Sequence, residues 1–171
     1  MSTQDTISET SIDTEFKKLE REATQSGYFL NPDIDHTKAL VESLLINEKR
    51  YGYWACPCRL ADGEKQVDLD IICPCDYRDA DLDEFDTCFC GLYVSKAVYE
   101  EKKQIETIPE RRPPKEDRLQ YKEDTSTSDS FSKTSHYPVW RCRVCGYLCA
   151  RDSPPGICPI CKAKKERFEH F

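Results

Sequence analysis

No stretch of this sequence approaches the roughly 18 consecutive apolar residues of a membrane-spanning helix, so no membrane partner is expected. Core-forming material is also sparse: hydrophobic residues make up 38 % of the 171 and charged residues 33 %. Such a chain has room for one ordinary domain, or one plus a small module, and gains stability from metal centres. An excess of basic residues is missing too. The formal net charge is −7, which does not point to nucleic acid. The opening Met-Ser-Thr-Gln-Asp-Thr has neither the charged nor the apolar region of a secretory signal. A secreted, disulfide-stapled scaffold therefore loses its support. The expectation is a cytoplasmic protein whose cysteines serve as thiolates, bound to metal or doing redox chemistry.

Cysteine is what the chain has in quantity, with 11 in all. Six of them form three Cys-x-Cys pairs within 35 residues: Cys56-Pro-Cys58, Cys73-Pro-Cys75 and Cys88-Phe-Cys90. A four-iron cluster takes four thiolates. The two left over could make one disulfide, which suggests a redox enzyme coupling an iron–sulfur cluster to a cystine. Proline inside the first two pairs fixes φ and removes a backbone donor, stiffening each turn. The residues alone do not say which four sulfurs bind iron, and all fifteen choices of the remaining pair stay open.

Around this block the pattern reads as helical. Ile12, Phe16, Leu19 and Ala23 give one amphipathic stripe, ended by Gly27. Leu40, Val41, Leu44 and Leu45 give a second, opened by Asp33 or Asp35 and stopped before Gly52. The first dozen residues are polar and read as frayed. Val67, Leu69 and Ile71 alternate like a short extended stretch, a helix being the alternative. Asp79 to Asp86 suits one or two helical turns, and Val94 to Ile105 a last helix before Pro109. From Arg111 to Tyr137 the chain is Pro-, Ser- and Thr-rich without periodicity, which reads as a linker.

The order Cys-Pro-Cys, Cys-Pro-Cys, Cys-x-Cys-Gly-Leu-Tyr, with Ile-Pro-Glu-Arg-Arg-Pro at 108–113, resembles the catalytic subunit of ferredoxin:thioredoxin reductase and its prokaryotic relatives. The likeness runs over residues 10–115 and implies a mainly α catalytic domain. It also implies that Cys56, Cys73, Cys75 and Cys88 hold a [4Fe–4S] cluster and that Cys58 and Cys90 form the redox disulfide. The partners implied are a ferredoxin-like electron donor and a thioredoxin-like protein disulfide. A cluster suits such a reaction because ferredoxin delivers electrons singly whereas a disulfide needs two. A donor near −400 mV against a couple near −270 mV leaves about 130 mV, on the order of 6 kcal/mol for two electrons. Two features depart from the plant-type enzyme. The middle residue of its third pair is a histidine that moves protons near the disulfide, where this chain has Phe89, and the spacings between pairs differ by a few residues. His36, His136 and His170 are the only histidines, and none lies in the cysteine block. The alternative from the residues themselves is an iron–sulfur electron carrier or redox sensor with no disulfide turnover.

Residues 116–136 are the expected flexible linker and 137–171 a second domain, too short to fold without metal or disulfides. Cys142-x2-Cys145 and Cys158-x2-Cys161 place four sulfurs on two facing knuckles, a tetrahedral S4 set that suits iron or zinc. With Trp140, Gly146-Tyr147 and Pro154-Pro155-Gly156 the segment resembles rubredoxin, most closely the shortened form that ends rubrerythrins. That implies a small β metal-knuckle fold and one mononuclear iron, with a zinc ribbon as the alternative. Cys149 is surplus and reads as an ordinary thiol. Charge is uneven: residues 1–110 carry 24 acids against 12 bases, and residues 137–171 carry 3 against 7. Solvated surface accounts for this. The sharper reading is docking of the basic module on an acidic surface.

Overall fold

The computed structural model describes residues 7–118 and 137–171. The chain divides into two compact units, Met1–Pro109 and Glu110–Phe171. Of the expected linker, residues 116–118 belong to a helical turn at 115–118, and 119–136 lie outside the described residues.

In the first unit, α1 (Glu9–Gln25) begins earlier than its polar start suggested, because the Ser8 hydroxyl accepts from the Ser11 backbone N–H at 3.3 Å and caps it. Its expected stripe is the one that packs inward: Phe16, Leu19 and Ala23 are buried. The helix closes as a Schellman turn, with Tyr28 N donating to Ala23 O and Gly27, at φ 80°, donating to Thr24 O. A two-residue strand β1 (Phe29–Leu30) follows, then α2 (Ile34–Tyr51). Asp33 caps α2 by accepting from His36 N at 3.0 Å, and Gly52 ends it in the left-handed conformation. Leu40, Val41 and Leu44 of α2 pack with Phe16, Leu19 and Ala23, and the same core takes in Cys88, Leu92 and Tyr93. Cys73, Cys90 and Trp54 pack against it. The cysteine loops are therefore seated on the helical core.

Between Leu69 and Ile71 the chain makes a 3-10 turn, not the extended stretch that its alternation suggested. The acids face inward instead. Asp68 is fully buried and accepts from Tyr53 Oη at 2.7 Å, Asp62 N at 3.0 Å and Gly63 N at 2.9 Å. Asp70 accepts from Tyr77 Oη at 2.8 Å. Buried carboxylates with this many donors are satisfied, which lets Val67 and Leu69 stay half-exposed. Helix α3 (Arg78–Phe85) lies where the acidic run suggested.

The last helix of this unit is much shorter than expected. Val94 belongs to strand β2 (Tyr93–Val94), which pairs antiparallel with β1, and α4 covers only Lys96–Tyr99. It stops in another Schellman turn, with Glu101 at φ 57° and Lys102 N donating to Ala97 O. No glycine marks that stop, and Ile105, which the longer helix would have buried, is 39 % exposed.

The second unit is a three-stranded antiparallel sheet of β3 (Val139–Cys142), β4 (Leu148–Ala150) and β5 (Phe168–His170), in the order β4-β3-β5. Trp140 Nε1 donates to Arg151 O at 2.9 Å and its ring meets His170 edge-on. Mainly helical and small-β units together give the fold class expected. Among the described residues no helix is long and apolar enough to cross a membrane.

Candidate redox site and metal centre

Backbone pairing brings the first two cysteine pairs side by side. An isolated antiparallel bridge joins Ala55 to Ile72, with Cys56 N donating to Ile71 O at 2.9 Å and Cys73 N to Trp54 O at 2.8 Å. The Cys73–Pro74 peptide bond is cis. Asn47 on α2 fixes this bridge to the helical core through Nδ2 to Ala55 O at 2.9 Å. The third pair sits in the turn before β2: Cys88 N donates to Tyr93 O and Gly91 N to Cys88 O. Gly91 is at φ 72°, and a Cβ there would stand 3.2 Å from His36 Nε2. A side chain there would be strained by the positive φ and would crowd the imidazole.

The sulfurs differ sharply in surroundings. Of the eleven cysteines Cys58 alone is exposed. Cys90 shares hydrogen bonds with Cys56, Cys58 and Cys88, its Sγ lying 3.6 Å from that of Cys88. Those bonds, with burial, hold the Cys90 thiol well above its ordinary range. The same bonds pull its neighbours down. Cys58 falls to about 7, chiefly through Cys90, against burial and with help from the Arg59 charge. Cys88 also falls to about 7, with Cys90 the main cause. Burial pushes Cys75 up to about 12 and Cys73 well above the usual thiol range.

Backbone and side-chain donors are aimed at the sulfurs. Tyr93 N points at Cys88 Sγ at 3.3 Å, and Arg59 Nη1 at Cys75 Sγ at 3.2 Å. Cysteine sulfurs that interact with one another and receive amide and guanidinium donors fit an iron–sulfur cluster, whose ligands are thiolates and whose properties follow from hydrogen bonds to sulfur. Metal binding also deprotonates thiols that burial alone would keep neutral.

The C-terminal four converge: the sulfurs of Cys142, Cys145, Cys158 and Cys161 all lie within 4.8 Å of one another. Two knuckles with the same backbone pattern hold them. Cys142 N donates to Tyr147 O and Gly146 N to Cys142 O; Cys158 N donates to Ala163 O and Lys162 N to Cys158 O. Gly146 at φ 74° and Lys162 at φ 61° occupy equivalent left-handed positions. Hydrogen bonding to Cys161 leads the effects that bring Cys142 down to about 5. Four converging sulfurs fit one thiophilic ion. Cys149 stands apart on β4, half-buried opposite Trp140.

Residues 5–112 match the family of the ferredoxin thioredoxin reductase catalytic beta chain. The chain belongs to that family. Residues 140–169 match the rubredoxin-like domain of rubrerythrin, and no curated protein matches the chain significantly. This member of the reductase family is thus an iron–sulfur oxidoreductase carrying a rubredoxin-like metal-binding module. Two neighbours of the reactive loops escaped the sequence reading. His36, from the first turn of α2, donates through Nε2 to Cys90 O at 3.2 Å, beside Asn31 Nδ2 to Gly91 O at 3.0 Å. Arg59 follows Cys58 directly, yet it reaches partners 16 and 22 positions further on. No local signal marks such contacts.

Proposed function

We propose that this protein reduces the disulfide of a thioredoxin-like protein with electrons taken singly from a ferredoxin-like donor, in the cytoplasm. Cys56, Cys73, Cys75 and Cys88 would hold a [4Fe–4S] cluster, which supplies one-electron storage beside a two-electron couple. Cys58 and Cys90 carry the bond chemistry. The Cys58 thiolate attacks the target disulfide, forming a mixed disulfide and releasing one target thiol. Cys90 then attacks Cys58 Sγ, releasing the second target thiol and leaving the Cys58–Cys90 disulfide. Two electrons and two protons restore the dithiol.

The observation that carries this reading is the asymmetry of the pair. Cys58 is exposed and drawn toward the thiolate, while its hydrogen-bonded partner Cys90 is sheltered among the other sulfurs. An attacking thiol needs access and thiolate character, and a resolving thiol needs proximity. The C-terminal site, on this reading, holds iron on Cys142, Cys145, Cys158 and Cys161 and relays electrons to the reductase unit. The test is turnover with reduced ferredoxin and a panel of thioredoxins. Reduction of at least one protein disulfide is expected; none, with both centres fully loaded, makes the protein a carrier or sensor.

A further inference from the structure

Arg59 touches the loops of all three cysteine pairs. It leaves the turn of the first pair directly after Cys58. Its Nη1 donates to Cys75 Sγ in the second pair at 3.2 Å. Its guanidinium lies 4.6 Å from the ring centroid of Phe89, the middle residue of the third pair, and 4.8 Å from that of Tyr77. Its Nη2 reaches Asp81 Oδ2 at 3.5 Å, and both side chains are 0 % exposed.

A buried cation held between two ring faces and fixed by a carboxylate has little freedom to reorient. Its Nη1 is directed at a sulfur, and a thiolate is a far better acceptor than a neutral thiol. The arrangement therefore suits Cys75 in the ligated, thiolate state.

We propose that Arg59 is a positioning residue that fixes Cys75 and raises the reduction potential of the cluster, with Asp81 opposing it. The inference rests on the assignment of Cys75 as a ligand in the proposed function. A reduced cluster carries one more negative charge than an oxidised one, so a fixed cation hydrogen-bonded to a ligand sulfur stabilises the reduced form. Asp81 both orients that cation and offsets its field. The two residues should therefore act in opposite directions on the potential.

The experiment is potentiometric titration of the full-length, cluster-loaded protein, followed by electron paramagnetic resonance, with iron and sulfide content measured in parallel. Arg59→Gln should move the midpoint potential to more negative values, and chelator-driven iron release should become faster. Arg59→Lys should shift it less in the same direction, since one ammonium keeps the charge but cannot fork between Cys75 and Asp81. Asp81→Asn should move the potential to more positive values. Unchanged potentials at full cluster content, or shifts of the same sign in the Arg59 and Asp81 variants, overturn the proposal. If Arg59→Gln holds no cluster, Arg59→Lys and Asp81→Asn decide the matter. Protein that shows the opposed shifts yet reduces no disulfide keeps this inference and loses the function; protein that binds no cluster loses the ligand assignment itself.

Discussion

Two cysteines only two positions apart can have opposite surroundings. Cys56 is buried and Cys58 exposed: the Cys56 backbone is pinned to Ile71, and Cys58 lies within the turn closed by Arg59 N donating to Cys56 O. Replacing each type should give distinct outcomes. Cys58→Ser is predicted to abolish protein-disulfide reduction while leaving cluster absorbance intact. Cys73→Ser is predicted to lose or convert the cluster. Alkylation of the reduced protein with mass mapping gives an independent check: Cys58 should label first, and labelling of Cys90 before Cys58 would reverse their roles.

Turns rather than helices present the reactive groups. The third pair lies between α3 and β2 in a turn that needs Gly91 twice over, for its positive φ and for the close approach of His36. A side chain in the left-handed conformation costs roughly 1–2 kcal/mol, and the 3.2 Å approach would press on the His36 imidazole that bonds the Cys90 carbonyl. Gly91→Ala is therefore predicted to lower urea stability by about that amount and to loosen the cluster, measured as the rate of iron release. Gly52→Ala makes a useful comparison. It shares the positive φ but meets nothing within 4 Å, so it should cost stability without affecting iron release.

For the whole molecule the question is how the two units cooperate. Residues 137–171 carry 7 bases against 3 acids, whereas residues 1–110 carry 24 acids against 12 bases. Loaded protein is predicted to contain five irons and four acid-labile sulfides, read by metal analysis and the electronic spectrum. Full-length protein with Cys142 and Cys158 both changed to serine should keep the cluster but turn over more slowly with ferredoxin. Unchanged turnover, or zinc in the C-terminal site of the parent protein, would remove the relay and leave the reductase unit as it is.

Short-range patterns settled a good part of this protein. The stripes of α1 and α2, the Asp33 cap and the glycine stops at Gly27 and Gly52 depend on neighbours within a turn or two, so they are legible in the chain alone. Three Cys-x-Cys pairs and two Cys-x2-Cys knuckles likewise declare sulfur chemistry by residue type and spacing. Other features required the tertiary structure. Asp68 and Asp70 could turn inward only because Tyr53, Gly63 and Tyr77 supply donors, which defeated the apolar alternation of Val67, Leu69 and Ile71. Helix α4 ends at a left-handed Glu101, a residue type that carries no stop signal. The exposure of Cys58, the approach of His36 to Cys90 and the fork of Arg59 between Cys75 and Asp81 all join distant parts of the chain. Local periodicity holds no information about such encounters. They are decided when the helical core and the Ala55–Ile72 bridge bring the loops together.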